Sequence, residues 1–81
     1  MERIDLFKGI RIEPSATYFL QAVNIGIEGK VVGIEGANII LESGREYDLR
    51  EVIGLGYEAT EKYNFNMREI PMSSIRIFRK K

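Results

Sequence analysis

The sequence predicts a mainly β protein in which a short N-terminal helix is followed by a strongly bent, five-stranded small barrel. Two features lead to this fold class. After the first 24 residues, short apolar segments with period-2 spacing alternate with turn residues, which is typical of successive strands. The first of these segments contains Gly29 and Gly33, and glycine inside a strand often marks a sharp bend. The 81 residues are expected to form a single domain.

Two segments precede the predicted barrel. Residues 1–14 are an N-terminal extension in which apolar and charged residues alternate shortly before Pro14, and this favours a short extended piece. Residues 15–24 are predicted to be the helix, because Ser15 is a good N-cap and one apolar face follows at helical spacing. That face consists of Ala16, Phe19, Leu20 and Val23.

The barrel, residues 25–81, is predicted to begin with two strands. The first runs from residue 25 to 34 and the second from 38 to 42, and a tight connection at 35–37 joins them. Ser43-Gly44 has the composition of a hairpin turn, so we expect the second strand to end there.

The last three strands are less regular in sequence. Alternation restarts at Tyr47, and residues 50–57 fit either one helical turn or a continued strand, of which we favour the strand. The polar residues 58–64 predict a loop or hairpin tip. A fourth strand is expected between 65 and 70, before Pro71, which cannot donate to a strand ladder, and a fifth between 75 and 78.

Composition narrows the classes of function. The chain has no cysteine and no histidine, so it offers no disulfide, no histidine metal site and no histidine base for a nucleophile. Glu46 and Asp48 share one strand parity, but such a pair is more typical of a solvated strand face than of an acid–base dyad. We therefore expect a protein that is not an enzyme and has no cofactor.

The apolar segments are short. None approaches the roughly 20 residues of a membrane span, and the first eight residues lack the apolar region of a signal peptide. A hydrophobic fraction of 44% with 30% charged residues is ordinary for a soluble domain. We expect a cytoplasmic protein without a membrane partner.

Charge is balanced overall but unevenly distributed. Residues 28–61 carry eight acidic and three basic side chains, whereas residues 62–81 carry six basic and one acidic. One interpretation is that the two parts neutralise each other in the fold. The other is that the basic residues form a face for an anionic partner. That face would consist of Arg76, Arg79, Lys80 and Lys81.

Residues 29–41, Gly-Lys-Val-Val-Gly-Ile-Glu-Gly-Ala-Asn-Ile-Ile-Leu, resemble the first signature of the Sm-like family, which includes the Lsm proteins and bacterial Hfq. Residues 70–77 are similar in position to the family's second signature, at the turn between the last two strands. The family's base-stacking residue falls at Gly36 or Ala37 here. The places that match the first signature are Gly29, Val31, Gly33, Ile34, Glu35, Asn38 and Leu41.

The resemblance implies a non-catalytic, homo-oligomeric ring in which edge strands pair between subunits and single-stranded RNA binds near a central pore. The residues that it assigns to RNA binding are Gly36, Ala37, Asn38, Ser73, Ser74 and Arg76.

The residues alone leave alternatives open. Asn38 is equally suited to bonding the backbone of a tight turn, and Arg76 to an exposed position in solvent. Tyr47, Tyr57, Tyr63 and Phe65 favour core or subunit-interface positions over stacking platforms. The alternative function is a small SH3-like barrel with a structural or protein-interaction role and no nucleic acid.

Overall fold

The fold is a two-stranded hairpin followed by a five-stranded antiparallel sheet. It is given by a computed structural model that describes residues 2–22, 24–52 and 56–81, with side chains except in 49–52 and 56–62. A 3₁₀ helix, Met72–Ser74, precedes the last strand. The strands are β1 (Leu6–Phe7), β2 (Ile10–Arg11), β3 (Thr17–Ala22), β4 (Ile25–Glu35), β5 (Asn38–Val52), β6 (Gly56–Pro71) and β7 (Ile75–Lys80).

The large sheet has the strand order β6-β5-β4-β3-β7, and every neighbouring pair is antiparallel. The prediction of a mainly β fold is therefore confirmed, although the five strands of the sheet are not the five that the sequence predicts. The prediction of a closed barrel is wrong, because no pairing between β6 and β7 is found in the described residues. The sheet is open, and these two strands are its edges.

The predicted N-terminal helix at residues 15–24 is also wrong, since Thr17–Ala22 form β3. Tyr18 and Leu20 are fully buried, whereas Thr17 and Phe19 are only partly buried, which is the period-2 pattern of a strand. The Thr-Tyr-Phe run at 17–19 is rich in strand-forming residues. Pairing with β4 on one side and β7 on the other outweighs the helical spacing of the apolar residues.

Ser43-Gly44 does not end a strand, contrary to the predicted hairpin turn. Both residues lie within β5, and the two strands predicted around them are one. Ser43 has a positive φ of 52°. The β4–β5 register shifts here, because Arg45 pairs with Glu28 whereas Glu42 pairs with Lys30. A bulge of this kind bends a strand without ending it.

The long β5–β6 hairpin includes residues that were predicted to form a loop. The loop predicted at 58–64 is wrong, because these residues belong to β6. The strand favoured for 50–57 is present as far as Val52 and again from Gly56, and residues 53–55 lie outside the described residues. The last predicted strand is confirmed as β7.

The bend predicted from Gly29 and Gly33 coincides with two irregularities in β4. The β4–β5 register shifts once between Glu28 and Lys30 and again between Val31 and Gly33. A Cβ atom on Gly29 would lie 3.2 Å from the Glu42 carbonyl oxygen, so the two backbones approach closely there. Irregularities of this kind bend a strand and increase its local twist.

The N-terminal extension is part of the domain. The Tyr18 hydroxyl accepts a hydrogen bond from the Glu13 backbone N–H at 2.8 Å and donates one to the Arg11 carbonyl oxygen at 3.2 Å. The Phe7 ring meets the Phe78 ring edge to face at 5.0 Å between centroids. Hydrogen bonds between Glu2 and Ile34 tie the first residues to the end of β4. The buried core consists of Ile4, Ile12, Tyr18, Leu20, Ile27, Val31, Ile39, Leu41, Ile70, Ile75 and Phe78.

Within the described part of the chain, we find no helix with the length and apolar character needed to cross a bilayer.

Candidate functional site

The β4–β5 turn and the 3₁₀ helix meet at one end of the sheet. Gly36 and Ala37 form the turn, and Gly36 has a positive φ of 61°, which glycine adopts without steric cost. The Met72 backbone N–H donates to the Ala37 carbonyl oxygen at 3.0 Å. Asn38 and Pro71 are partners in the β5–β6 register. We call residues 36–38 together with 69–74 the loop site.

Asn38 is half-buried in the loop site, and its side chain is held by Glu69. The amide nitrogen Nδ2 donates to Glu69 Oε2 at 3.2 Å. Because an ionised carboxylate only accepts hydrogen bonds, the amide must turn its nitrogen towards Glu69, and its oxygen Oδ1 is directed elsewhere. The alternative in which Asn38 uses its side chain only for the backbone of its own turn is not what is observed.

Two serines of the 3₁₀ helix complete the loop site. The Ser74 hydroxyl donates to the Pro71 carbonyl oxygen at 2.8 Å, which fixes the turn between β6 and β7. Ser73 is exposed. The loop site therefore contains five of the six residues that the Sm-like resemblance assigns to RNA binding.

Arg76, the sixth, is exposed and lies two residues after the 3₁₀ helix, near the start of β7. In the described contacts, no hydrogen bond or ion pair joins it to the other five residues. The β3–β7 register shifts beside it, since Gln21 faces Ile77 whereas Ala22 faces Ile75. Arg76 is therefore the residue at which β7 departs from regular pairing.

The other C-terminal cations are engaged within the molecule. Lys80 Nζ lies 2.7 Å from Glu13 Oε2, and Lys81 Nζ lies 2.6 Å from Glu28 Oε2. The hydrogen bond to Glu13, together with its negative charge, raises the pKa of Lys80 above the usual 10.5. The Lys81–Glu28 contact supports the interpretation that the acidic part (28–61) and the basic part (62–81) neutralise each other, whereas Glu13 lies outside the acidic part. The Lys80–Glu13 and Lys81–Glu28 pairs border an open, polar surface groove of about 720 Å³.

Arg79 is also engaged, through an aromatic ring. Its guanidinium carbon lies 5.1 Å from the centroid of the Phe19 ring, directly across the β3–β7 pair. Such a cation–π contact orients the arginine along the sheet surface.

The burial of the polar residue Glu46 was not predicted from the sequence. It was expected on a solvated face with Asp48, but its side chain is 1% exposed, whereas Asp48 is exposed. It pairs with Ile27 of β4, which is a buried residue of the core. Arg68 Nη1 lies 2.6 Å from Glu46 Oε1 and also donates to the hydroxyl of Tyr63, which is 42% exposed rather than buried.

The partner of Glu46 could not be read from the chain, because Arg68 reaches it diagonally across the hairpin. In the β5–β6 register Arg68 faces Leu41, and Tyr63 faces Glu46. The sequence gives no signal for the burial of Glu46, because Glu46 alternates with Tyr47 and Leu49 and shares its parity with Asp48. Glu69 carries no signal at all, since its contact with Asn38 depends on the long-range register.

The described residues contain no cluster of three or more carboxylates placed to hold a metal ion.

A scan of the chain against protein-family models finds no match, and a search of curated proteins finds no similar sequence. The resemblance to the Sm-like signatures therefore stays a prediction from the residues of the two motifs.

Proposed function

We propose that the chain forms a homo-oligomeric ring that binds single-stranded RNA at the loop site without catalysing a reaction. The observation that carries this proposal is the hydrogen bond from Met72 to Ala37. It joins the two segments to which the Sm-like resemblance assigns RNA contacts, although they are distant in sequence. The strand order, in which the last strand returns to pair with β3, also supports it.

Assembly is supported by the two edges of the sheet. In the described residues β6 and β7 each lack a neighbour on one side, and an open strand edge is a template for pairing with another chain. Each edge carries an exposed apolar side chain, Met67 at 61% and Ile77 at 46%. Pairing of β6 in one subunit with β7 in the next would cover both.

RNA binding by such a ring depends on repetition. Each subunit contributes Arg76, so positive charge accumulates around the ring although the single chain has no net charge. Asn38 and the serines supply polar groups for base edges. Gly36 and Ala37 provide no aromatic surface, and stacking contributes about 1–3 kcal/mol per base, so we expect modest affinity.

Filter binding with oligo-U and oligo-A at several salt concentrations tests the proposal. Arg76→Ala is expected to lower affinity and to flatten the salt dependence, because fewer counterions are released. Asn38→Ala is expected to lower affinity with little change in salt slope. Lys8→Ala is the matched control, since Lys8 is an exposed cation on the β1–β2 turn, outside the loop site. If neither oligonucleotide binds to the wild-type protein at low salt, the RNA proposal is wrong.

A structural or protein-interaction module is the second candidate. The contacts Lys80–Glu13 and Lys81–Glu28 favour it, because they remove two cations from the basic face. A module of this kind would bind no oligonucleotide in the same assay, and Arg76→Ala would leave its other properties unchanged.

A further inference from the structure

We infer that Phe19 and Arg79, on the outer face of the sheet, form a platform on which one base of a bound single strand of RNA stacks. This inference deepens the proposed RNA binding and rests on it. The loop site contains no aromatic side chain, so aromatic stacking has to be supplied from elsewhere in the chain. We call Phe19 and Arg79 together the stacking platform.

Phe19 lies on the face of β3 that is turned away from the core. Its neighbours Tyr18 and Leu20 are fully buried core residues, and successive side chains of a strand point to opposite faces of the sheet. Phe19 itself is only partly buried. In the described part of the chain it is not among the apolar residues that pack against the core. Its ring is therefore accessible to a ligand on the outer face.

Arg79 gives this ring a positively charged neighbour. It pairs with Phe19 in the β3–β7 register, and directly paired residues of adjacent strands share one face of the sheet. The guanidinium carbon lies 5.1 Å from the centroid of the Phe19 ring. RNA bases stack on aromatic rings and also on guanidinium planes, so the stacking platform offers two adjacent flat surfaces, one of them charged.

The charges around the stacking platform fit a phosphate chain. Glu28, which pairs with Phe19 on the side of β4, is bound to Lys81 at 2.6 Å, and this pair is neutral as a whole. Arg79 and the exposed Arg76 then leave this part of the surface positive. A second copy of the chain, docked symmetrically on the same face, would bring the same cations together. An anionic single strand is therefore the occupant that the charges favour.

The stacking platform is continuous with the loop site. The strand β7 begins directly after the 3₁₀ helix of that site, and it carries first Arg76 and then Arg79. Three residues of a strand span about 10 Å, so a single strand that leaves the loop site along β7 passes Arg76 before it reaches the platform. Pairing of the β7 edge with another subunit uses backbone groups and leaves this face open.

The first experiment compares the affinities of the full-length protein for oligo-U and for an abasic oligomer of equal length, which has the phosphates but no bases. Phe19→Leu is expected to weaken oligo-U binding about tenfold and to leave abasic binding unchanged, because only the stacking surface is lost. Phe19→Tyr should keep the wild-type affinity. Phe7→Leu is the matched control, since Phe7 is also partly buried but packs against the core.

A second experiment observes the stacking directly. The chain contains no tryptophan, so Phe19→Trp introduces a single fluorescent reporter that retains a flat ring. We expect oligo-U to quench its fluorescence and the abasic oligomer to leave it unchanged. Leu6→Trp is the control, because Leu6 is an exposed residue of β1 and lies outside the stacking platform. Its fluorescence should not respond to oligo-U.

The outcomes separate this inference from the proposed function. If Phe19→Leu binds oligo-U as tightly as the wild type, or loses affinity for both oligomers equally, stacking on Phe19 is wrong and RNA binding stands. If the Phe19→Trp fluorescence changes with protein concentration and not with oligo-U, a second copy covers this face and the inference is wrong. If oligo-U does not bind to the wild-type protein, the proposed function fails and the stacking platform with it.

Discussion

Gly44 lies so close to the backbone of Glu28 that a Cβ atom at position 44 would be 1.8 Å from the Glu28 carbonyl oxygen. It would also lie 2.6 Å from Cζ of Phe65. Three neighbouring strands therefore converge at one residue without a side chain. The preceding Ser43, with its positive φ, turns β5 towards β4 at this point.

Gly44→Ala is expected to destabilise the fold by about 2–3 kcal/mol, because either β4 or the Phe65 ring must move to admit the methyl group. Chemical denaturation measures the change. Gly9→Ala is the control for steric crowding: Gly9 has a positive φ of 77°, unlike Gly44, but a Cβ there meets nothing within 4 Å. We expect about 1 kcal/mol for the control. Equal losses for the two variants would contradict the close approach.

Arg68→Met is expected to lower stability by about 2 kcal/mol, because it removes the Arg68 charge that faces the buried Glu46 carboxylate. The loss is below the full value for a buried pair, since Arg68 is 29% exposed. The double variant Glu46→Gln, Arg68→Met should recover part of it. Arg3→Met is the control, because the Arg3–Asp5 pair is about three-quarters exposed and should contribute little. A similar loss for Arg3→Met would contradict this assignment.

The contact of Lys80 with Glu13 predicts a change of stability at alkaline pH. The folded-state pKa of Lys80 is raised, so its stabilising contribution is present below pH 10.5 and is lost as pH rises through the higher folded value. The difference in unfolding free energy between wild type and Lys80→Met should therefore shrink above pH 10.5. A pH titration of urea unfolding measures it, and Glu13→Gln should abolish the pH-dependent part. A constant difference across this range would argue against the contact in solution.

The proposed ring predicts a particle of five or more subunits in multi-angle light scattering. Met67→Lys or Ile77→Lys places a charge on one open edge, and each is expected to lower the particle mass at a fixed concentration. Leu6→Lys changes an exposed apolar residue of β1, outside both edges, and should leave the mass unchanged. A monomer mass for the wild-type protein at micromolar concentration would contradict the ring.

The sequence predicted the mainly β class, but the predicted helix at 15–24, the hairpin turn at 43–44, the loop at 58–64 and the closed barrel were wrong. The spacing of Ala16, Phe19 and Leu20 fits one helical face, yet alternate burial of Tyr18 and Leu20 makes the same residues a strand. Local spacing cannot reveal that β3 has partners on both sides. Ser43-Gly44 carried the composition of a turn because a bulge needs the same backbone freedom as a hairpin.

The assignment of the loop site to RNA binding stays a prediction, and the structure adds contacts there that the sequence does not show. The two segments of the loop site were assigned from motif resemblance, and their contact is present as the Met72–Ala37 hydrogen bond. Glu69 was not assigned, because its contact with Asn38 depends on the β5–β6 register. The sequence left open whether Lys80 and Lys81 contact an anionic partner or pair within the chain. Only the folded arrangement shows that they form internal ion pairs.

The position of β7 has a consequence for the order of folding. The β4–β5 and β5–β6 pairs are hairpins between consecutive strands, whereas β7 pairs with β3 across the whole intervening chain. Contacts of low sequence separation form early because their loop-closure entropy is small, and distant contacts form late. We expect the hairpins to be structured in the folding transition state and β7 to dock after it. Phe78→Leu should then accelerate unfolding and leave the folding rate nearly unchanged.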